Sequence, residues 1–546
     1  MSFLVMIHAL RRLGRMALAV ALGVAASLPI VPGESQAQGT DLADLLSRVK
    51  IVREGERELV EVDLRSVLQL ALERSQFLES SRLGVDIARS DLIAAQERNN
   101  PSVTSGLGYS RSLSSSFDLT GSNFAALSGT EALTLSSALT KKVSSGITYG
   151  LAYSEVRARS RSVTIPKEGD VPQSGDFDEW ADVSALSGTM SIPFFQDSGA
   201  AINDIPVRLG ELGVHSSRMT IRRDELNVLS DIAKTYWRLV GLQQGLVVRR
   251  AAVRLSEQLL QDNQARLRAG VLSPADVQAS ETQLASDRVS ALEFEVDTVV
   301  VEDQVRAALN LKDLPYGFKA SDAPMSRRDT FDAAALQRMV FDNEPSLQLL
   351  RAQLASAQYV LAQAENQNAT NLDLDLGYVL NGYSAGTLGG IAGFSQTDLH
   401  GYSAKLTWTL PLFDTRSAEL IRKRNLEITQ LQLRIRDLES SLTVQLQSSL
   451  RLLDFARAEV ESARVAMELA KAQLRNEVDR FRLGKTTSFQ VAQLQQDARA
   501  AEEREILART RYETFLTDLL ILTGNVYSYY NLHSRLPDEP SSAGAQ

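Results

Sequence analysis

The sequence predicts a mainly helical fold that repeats one helix-strand-strand-helix plan twice and carries a smaller, strand-built membrane part. Two observations predict the duplication. The stretch Arg266–Ser273 returns 214 positions later as Arg480–Thr487, and both copies lie between alanine-rich stretches with helical apolar spacing. A third observation predicts the strands, since several segments between the helices alternate apolar and polar residues.

The N-terminus has the pattern of a secretory signal peptide. Three arginines within residues 11–15 form a basic region, an apolar run extends from Met16 to Val31, and Ser35-Gln36-Ala37 supplies small residues at a cleavage site. We therefore expect residues 1–37 to be removed and the mature chain to be exported. A signal-anchor helix is the alternative, which the shortness of the run and its prolines disfavour.

Composition excludes several classes of function. The chain has no cysteine, which excludes disulfides, thiolate metal sites, a cysteine nucleophile and an acylated N-terminal cysteine as a lipid anchor. Its four histidines show no ligand spacing, and neither a phosphate loop nor a nucleophile-elbow motif occurs, so we expect no cofactor, no metal site and no enzyme activity. The net charge of −9, with both signs interspersed, indicates solvated helices and no nucleic-acid partner.

The first repeat is predicted over residues 62–312, after a lead segment at 38–61. Its long helix ends at Gly270, and Ser273 with Pro274 restarts the chain as N-cap and first helical residue. The predicted elements, in order, are a helix (62–100), strands (102–192), a long helix (199–268) and a second helix (274–309).

The second repeat is predicted over residues 331–526, after a linker at 313–330 and before a tail at 527–546. Its long helix shows apolar steps of three and four, as in a coiled coil. The predicted elements are a helix (333–368), strands (372–410), a long helix (415–482) and a helix (488–522). Because each long helix is nearly twice as long as a short one, two short helices stacked end to end can pair along it.

The predicted strands have one apolar face. Leu372, Leu374, Leu376 and Leu380 alternate with mostly polar residues, and the segment 403–410 alternates in the same way. The first repeat has about 50 extra residues between its strands, and their alternating run at 147–153 predicts a second hairpin. We expect the polar stretch 157–178 to be a mobile loop.

Such strands fit a membrane sheet, with lipid on the apolar side and water on the other. A half-buried sheet in a soluble domain is the general alternative. Four to six strands per chain cannot close a barrel of at least about eight strands, and an open edge in lipid leaves backbone groups unpaired, so closure requires several chains. The aromatic residues expected at the membrane interfaces are Tyr109, Tyr149, Tyr153, Tyr378, Tyr402 and Trp408. Plain packing of these side chains within the sheet is the alternative.

The duplicated plan, the two Arg-x-x-x-Gly turns and the strand-to-helix junctions resemble the TolC-like outer membrane efflux proteins, over roughly Leu64 to Asn525. The junction residues are Pro193, Phe195, Pro411, Phe413 and Asp414. The resemblance implies a homotrimer with a shared outer-membrane β-barrel and an α-helical tunnel (α-barrel) in the periplasm. It also implies an exit duct of a tripartite efflux pump or type I secretion system, docked onto a periplasmic adaptor (a membrane fusion protein) and an inner-membrane transporter.

By the same resemblance, the two glycine turns are adaptor-docking tips at the periplasmic end. The implied docking residues are Arg268, Gly270, Ser273, Val277, Arg482, Gly484, Thr487 and Val491. A purely structural role is the alternative, since glycine closes one helix and a hydroxyl caps the next without any partner.

The resemblance further implies a periplasmic gate just after the turns, at Asp276, Gln490 and Gln493, and we add Arg480, just before the second turn, as a candidate partner of Asp276. The two glutamines stand where the family can carry aspartates, which predicts a weaker cation preference because amides supply no fixed charge. We hypothesise that Asp276 pairs with Arg480 or Arg482 across the tip in a closed state. A solvated surface pair is the alternative.

A periplasmic adaptor or coiled-coil scaffold is the competing function, because long antiparallel helices joined by a tip turn suit it equally well. The strands discriminate between the two. An adaptor has no need of lipid-facing leucines at 372–380.

Overall fold

The computed structural model describes residues 50–54, 57–117, 123–166, 173–174, 180–270, 272–311, 316–324, 331–385, 399–410, 412 and 414–534. The predicted signal peptide lies outside the described residues, as do residues 38–49 of the lead segment and 535–546 of the tail.

Helices make up most of the described chain. They are α1 (Leu64–Arg74), α2 (Gln76–Gln96), α3 (Ala200–Asn203), α4 (Ile205–Arg268), α5 (Pro274–Ala308), α6 (Ala333–Asn343), α7 (Pro345–Gln367), α8 (Thr415–Arg482), α9 (Ser488–Leu522) and α10 (Val526–Tyr529). The strands are β1 (Lys50–Glu54), β2 (Arg57–Val62), β3 (Ser102–Phe117), β4 (Asn123–Lys142), β5 (Thr148–Pro166), β6 (Gln173–Ser174), β7 (Ala181–Pro193), β8 (Gly317–Ala320), β9 (Asn371–Ala385) and β10 (Leu399–Thr409).

The long helices stand side by side as a wall. α4 and α8 have 64 and 68 residues, or about 96 and 102 Å at 1.5 Å per residue. Near the glycine turns the order across the wall is α5, α4, α9 and α8, and near the large sheet it is α2, α4, α7 and α8. The wall therefore ends in α8 on one side and in α2 and α5 on the other.

Two predicted single helices are each two helices, and the sequence interpretation was wrong on this point. The range 62–100 breaks at Ser75 and the range 333–368 breaks at Glu344, both with extended backbone. Each residue caps the next helix: the Ser75 hydroxyl accepts from the Leu78 N–H, and the Glu344 carboxylate accepts from the Ser346 N–H. Apolar spacing continues across both breaks and hides them, although Pro345 disfavours helical backbone at Glu344.

The predicted long helix at 199–268 also has an interrupted start. The short helix α3 precedes it, and Asp204 separates α3 from α4. A proline in the first turn of α4 suits a new helix start, because its missing N–H would have no intrahelical partner there.

A three-stranded sheet at the middle of the wall was missed by the sequence analysis. β1 pairs antiparallel with β2, and β2 pairs parallel with β8, which lies in the predicted linker. The Gln243 amide of α4 binds one edge of β8 through both of its polar groups: it donates to the Phe318 carbonyl at 2.6 Å and accepts from the Ala320 N–H at 3.0 Å. These strands have only four to six residues, too few to show a clear alternation.

The main hydrophobic core surrounds this small sheet, where several helices begin or end. Tyr236 of α4 is fully buried there, and its hydroxyl donates to the Asp322 carboxylate at 2.7 Å. Asp322 also accepts from the Leu64 N–H at 2.6 Å, so one carboxylate ties the start of α1 to the middle of α4. The core thus fixes the first-repeat helices to one another at mid-length.

The large sheet is antiparallel throughout and has the strand order β10-β9-β7-β5-β4-β3, with β6 paired to β5. The expectation of a mobile loop over 157–178 was wrong for its first part. β5 continues to Pro166, and Arg157 lies opposite Asp182 with their side chains 3.5 Å apart. Arginines alternate with small residues here, so the period of two is present without an apolar face.

Tyr236→Phe tests the mid-length core. Loss of the hydroxyl leaves buried oxygens of Asp322 and Val62 without this donor, and we expect a loss of about 1–3 kcal/mol of stability. Burial, and then the bond to Asp322, raise the pKa of Tyr236. Its contribution is therefore complete below the unfolded-state pKa of about 10 and is lost as pH rises towards the folded-state value.

Melting curves in detergent between neutral and alkaline pH check this prediction. The Tyr236→Phe variant is expected to melt earlier at neutral pH and to lose less stability on alkalinisation than the wild type. Tyr402→Phe is the control, because that side chain is 88% exposed. Equal melting of both variants at neutral pH would contradict the structural role of the hydroxyl.

Candidate docking tips, gate and strand-to-helix junctions

The first tip joins α4 to α5. Gly270 has φ of 75°, which L-residues other than glycine rarely adopt, and its N–H donates to the Leu267 carbonyl at 2.9 Å. An added Cβ would meet nothing within 4 Å, so backbone conformation alone requires this glycine. Ser273 and Asp276 then form a reciprocal capping box at the start of α5.

The second tip joins α8 to α9 in the same way. Gly484 has φ of 68°, and the Lys485 N–H donates to the Arg480 carbonyl at 2.9 Å. The Thr487 hydroxyl accepts from the Gln490 N–H at 3.3 Å and caps α9. Gln490 stands where the first tip has Asp276, so here the hydroxyl caps without an acidic partner.

The two tips are fixed to each other by Arg266 and Phe481, which the sequence analysis did not select. The Arg266 guanidinium lies over the Phe481 ring, 4.1 Å from its centre, and donates to the Phe481 carbonyl at 3.0 Å. Phe481 packs in a buried cluster with Leu259 and Val491. Both residues belong to the duplicated motif. The first copy, however, has Leu267 where the second has Phe481, so the repetition alone did not indicate a contact.

Burial divides the predicted docking residues into two groups. Val277 and Val491 are buried, so they shape the tips without forming a contact surface. Arg268, Arg482 and both glycines are exposed. Leu483 and Phe489, which the sequence analysis did not select, are 70% and 73% exposed and flank the second turn.

The hypothesised pair between Asp276 and Arg480 or Arg482 is not formed within this chain. The Asp276 carboxylate accepts from the Ser273 N–H and hydroxyl at 3.1 and 2.7 Å. Arg480 pairs with Glu477 at 3.2 Å, and Arg482 lies 3.5 Å from Asp479. Local partners one helical turn away are nearer than any across the tip. Gln490 and Gln493 are exposed.

Above the tips, a buried polar network joins α4, α5 and α9. Asp287 of α5 is 2% exposed and accepts from the Ser256 hydroxyl at 2.6 Å. Arg499 of α9 pairs with the same carboxylate, and Gln495 donates to Ser256 at 3.1 Å. Asn263 forms the next layer towards the tips, where its amide donates to the Ser280 hydroxyl at 2.6 Å. The network fixes the register between the helical hairpins of the two repeats.

The strand-to-helix junctions lie at the other end of the long helices. β7 ends at Pro193, and the next N–H, that of Phe194, donates to the Leu372 carbonyl of β9 at 2.9 Å. Phe195 is 58% exposed and, with Leu406 and Trp408, lines an apolar depression at the base of the sheet.

The second junction contains Asp414, which caps α8. Its carboxylate accepts from the Ser417 hydroxyl and from the Ser417 N–H at 3.1 Å, and the hydroxyl bond is the main cause that lowers the Asp414 pKa. Pro411 and Phe413, also predicted here, lie outside the described residues.

Within the described ranges, no group of three or more histidine, aspartate or glutamate residues is placed to hold a metal ion. Over the same ranges, none of the helices combines the length and apolar character needed to cross a membrane.

Arg499→Met tests the buried network. It leaves the Asp287 carboxylate buried without its cationic partner, and we expect a loss of about 3–5 kcal/mol of stability. Arg464→Met is the matched control, since Arg464 pairs with Glu461 and Glu468 on the exposed face of α8 and should change little. Denaturant unfolding followed by helical circular dichroism compares the two variants, and equal midpoints would refute the role given to Asp287.

Comparison with known proteins identifies the fold. No protein-family model matches the sequence, and neither does any curated protein. Three solved structures match with TM-scores of 0.61, 0.58 and 0.57: the CmeC outer membrane channel of Campylobacter jejuni, the outer membrane protein VceC of Vibrio cholerae, and the MtrE outer membrane channel of Neisseria gonorrhoeae.

These likenesses extend over nearly the whole of each protein. The identities are 14%, 13% and 14%, over 85%, 84% and 85% of this chain and 86%, 96% and 89% of the respective structures. The chain therefore has the fold of the outer membrane channels, as its resemblance to the TolC-like outer membrane efflux proteins predicts.

Proposed function

We propose that three copies of this chain form an exit duct through the outer membrane and the periplasm, passively conducting substrates from an inner-membrane transporter. The duct serves a tripartite efflux pump or a type I secretion system. The strands form a shared β-barrel in the outer membrane, the helices form an α-barrel in the periplasm, and an N-terminal signal peptide directs export. The fold shared with outer membrane channels supports this function.

The observation that carries the proposal is the position of the exposed apolar residues. Large apolar side chains that are exposed in the single chain concentrate on the edge helices of the wall. They are Phe77, Leu83, Ile87 and Ile93 on α2, Val289, Leu292, Val296 and Val300 on α5, and Leu426, Leu433, Val444, Leu452, Phe455, Val465 and Leu469 on α8. Within the described residues, the inner helix α4 exposes only Val247 among such residues, α9 exposes Phe489 and Leu507, and α7 exposes none.

These edge residues have the spacing of a packing surface. On α5 they follow steps of three and four, which place them in one stripe. An apolar stripe of this length in water calls for a partner helix. Contact between α8 of one copy and α2 and α5 of the next covers the exposed apolar residues of all three helices and continues the wall into a ring.

The large sheet supports placement in a membrane. Its apolar face carries Leu406, Trp408 and Tyr402, which are 63%, 68% and 88% exposed, while the opposite face is mostly small and polar. Lipid is the environment in which such a face is stable. The adaptor or scaffold alternative gives no reason for a broad exposed apolar sheet.

The tips supply the surface for a periplasmic adaptor. Leu483 and Phe489 offer exposed apolar contacts, and Arg268 and Arg482 flank them with positive charge. Just inside, Gln490 and Gln493 with Asp276 and Arg480 form the proposed gate. We infer that this gate has a weaker cation preference than one lined by aspartates, since the two exposed side chains on α9 are neutral.

Single-particle electron microscopy of the detergent-extracted mature protein tests the proposal. The expected particle is a three-fold hollow cylinder with a helical section of about 100 Å, the length of the long helices. A solid particle or one without cyclic symmetry would favour the scaffold alternative.

Leu292→Glu tests the helix edges. A carboxylate in the apolar stripe of α5 should prevent closure while the single chain keeps its fold, because Leu292 is 61% exposed there. Val247→Glu on the inner helix α4 is the matched control, with 63% exposure. Sedimentation in detergent should give monomers for Leu292→Glu and wild-type particles for Val247→Glu. Wild-type assembly of both would show that the α5 stripe is not an interface.

The double variant Gln490→Asp/Gln493→Asp tests the gate. Both side chains are exposed, so the tip fold should persist while the lumen gains two negative charges per chain. We expect a higher cation-to-anion permeability ratio and stronger block by a trivalent cation in planar bilayers. An unchanged ratio would remove these two positions from the conducting path. Gln496→Asp/Gln473→Asp, further from the turn, is the control for added charge.

A further inference from the structure

Among the described strands, the large sheet ends in two edge strands, β3 and β10, on whose outer sides no other strand pairs. Its six long strands alternate in direction from β3 at one edge to β10 at the other. β3 runs away from the strand-to-helix junctions and β10 runs back towards them. An even number of alternating strands is the condition under which copies can join edge to edge and remain antiparallel throughout.

The hairpin formed by β4 and β5 is an integral part of this sheet. β5 pairs with β7 over eleven positions, from Thr148 opposite Ser191 to Ala158 opposite Ala181. Its other side pairs with β4 over its whole length. The hairpin therefore separates β3 from β7 and moves the free edge of the chain two strands outwards.

The turn of this hairpin is seated on the first strand-to-helix junction. The Gly199 N–H donates to the Ser145 carbonyl at 3.0 Å. Gly146 has φ of 92°, and a Cβ there would lie 2.2 Å from the Asp197 carbonyl oxygen. This close approach places the base of the hairpin at the same level as the base of β7.

Both faces of the sheet continue across the hairpin. One row of paired positions runs across all six strands on the apolar face: Val103, Leu139, Leu151, Gly188, Tyr378 and Tyr402. The neighbouring row, on the opposite face, is Thr104, Ala138, Ala152, Ser187, Val379 and Gly401. Near the junctions the hairpin thus extends the lipid-facing surface and the water-facing surface together. Further out, the same outer face carries the paired charges of Arg111, Glu131, Arg157 and Arg159.

The water-facing side of the first three strands carries no charge over most of its length. Between Thr104 and Ser114, between Ser128 and Thr140, and between Gly150 and Ser162, its positions hold only Ser, Thr, Gly, Ala and one Val. The charges on this face in the second repeat are Asp373, Asp375 and Lys405. Most of the lumen wall would therefore be neutral and composed of small side chains.

We propose that β3 of one copy pairs antiparallel with β10 of the next, so that three copies of six strands close one barrel of 18 strands. The proposal rests on the trimeric duct proposed above and specifies its membrane part. Barrel diameter grows roughly linearly with strand number, and about 16–18 strands enclose an open aqueous channel. The membrane part is then a wide, largely neutral mouth, and selection of substrates falls to the helical tips.

Engineered cysteines test the edge pairing without background, since the chain has none of its own. Leu107→Cys on β3 and Leu406→Cys on β10 lie on the same face, in the same half of the sheet. Treatment of the double variant in outer-membrane vesicles with bis-maleimides of graded length should give covalent dimers and trimers. Each single variant should stay monomeric on denaturing gels.

A second measurement does not depend on where the two cysteines are placed. Electron cryo-microscopy of the wild-type particle counts the strands directly, and 18 are expected. A trimer with no β3–β10 cross-link and fewer strands would overturn this inference and leave the duct intact. Absence of a trimer would overturn the duct as well.

Discussion

The free edges of the single chain are the constraint on which the rest of the structure depends. At the helical level, α8 on one side and α2 and α5 on the other expose apolar stripes that the inner helices lack. At the sheet level, β3 and β10 are the edge strands of the ladder, and no other described strand pairs with their outer sides. Water can solvate a strand edge, but lipid cannot. In the proposed trimer, another copy of the chain covers both edges.

The buried interactions serve to keep this open wall rigid. The mid-length core around Tyr236 fixes the first-repeat helices, and the network around Asp287 fixes the hairpins of the two repeats to each other. At the tips, the contact between the Arg266 guanidinium and the Phe481 ring also joins the two repeats. Separation of the two hairpins at the tips would break polar contacts that are buried or partly buried.

The sequence was most informative where periodicity is long and repeated. α8 and α9 begin and end at the residues that apolar spacing and capping signals predict, and the alternating segments appear as strands of one sheet. It was least informative where tertiary contacts decide. The breaks at Ser75 and Glu344 interrupt continuous apolar spacing, and the small sheet consists of strands too short for a pattern.

The candidate site shows the same division. Gly270 and Gly484 were predictable because a turn that needs a positive φ strongly favours glycine. The partners of Asp276 and Arg480 were not predictable in this way. Asp276 bonds to Ser273 in a capping box, and Arg480 pairs with Glu477 one helical turn away, so neither is available for a contact across the tip. Arg266 and Phe481 meet through the packing of two repeats, which spacing within either repeat does not contain.

The mass of the detergent-extracted particle tests the central claim, that the chain closes its edges with its own copies. Native mass spectrometry after removal of bound detergent counts the chains without assuming any shape. The account predicts one species of three chains, stable on dilution. Particles of a single chain at every concentration would contradict it, because the exposed stripes of α2, α5 and α8 would then have to be stable without a partner.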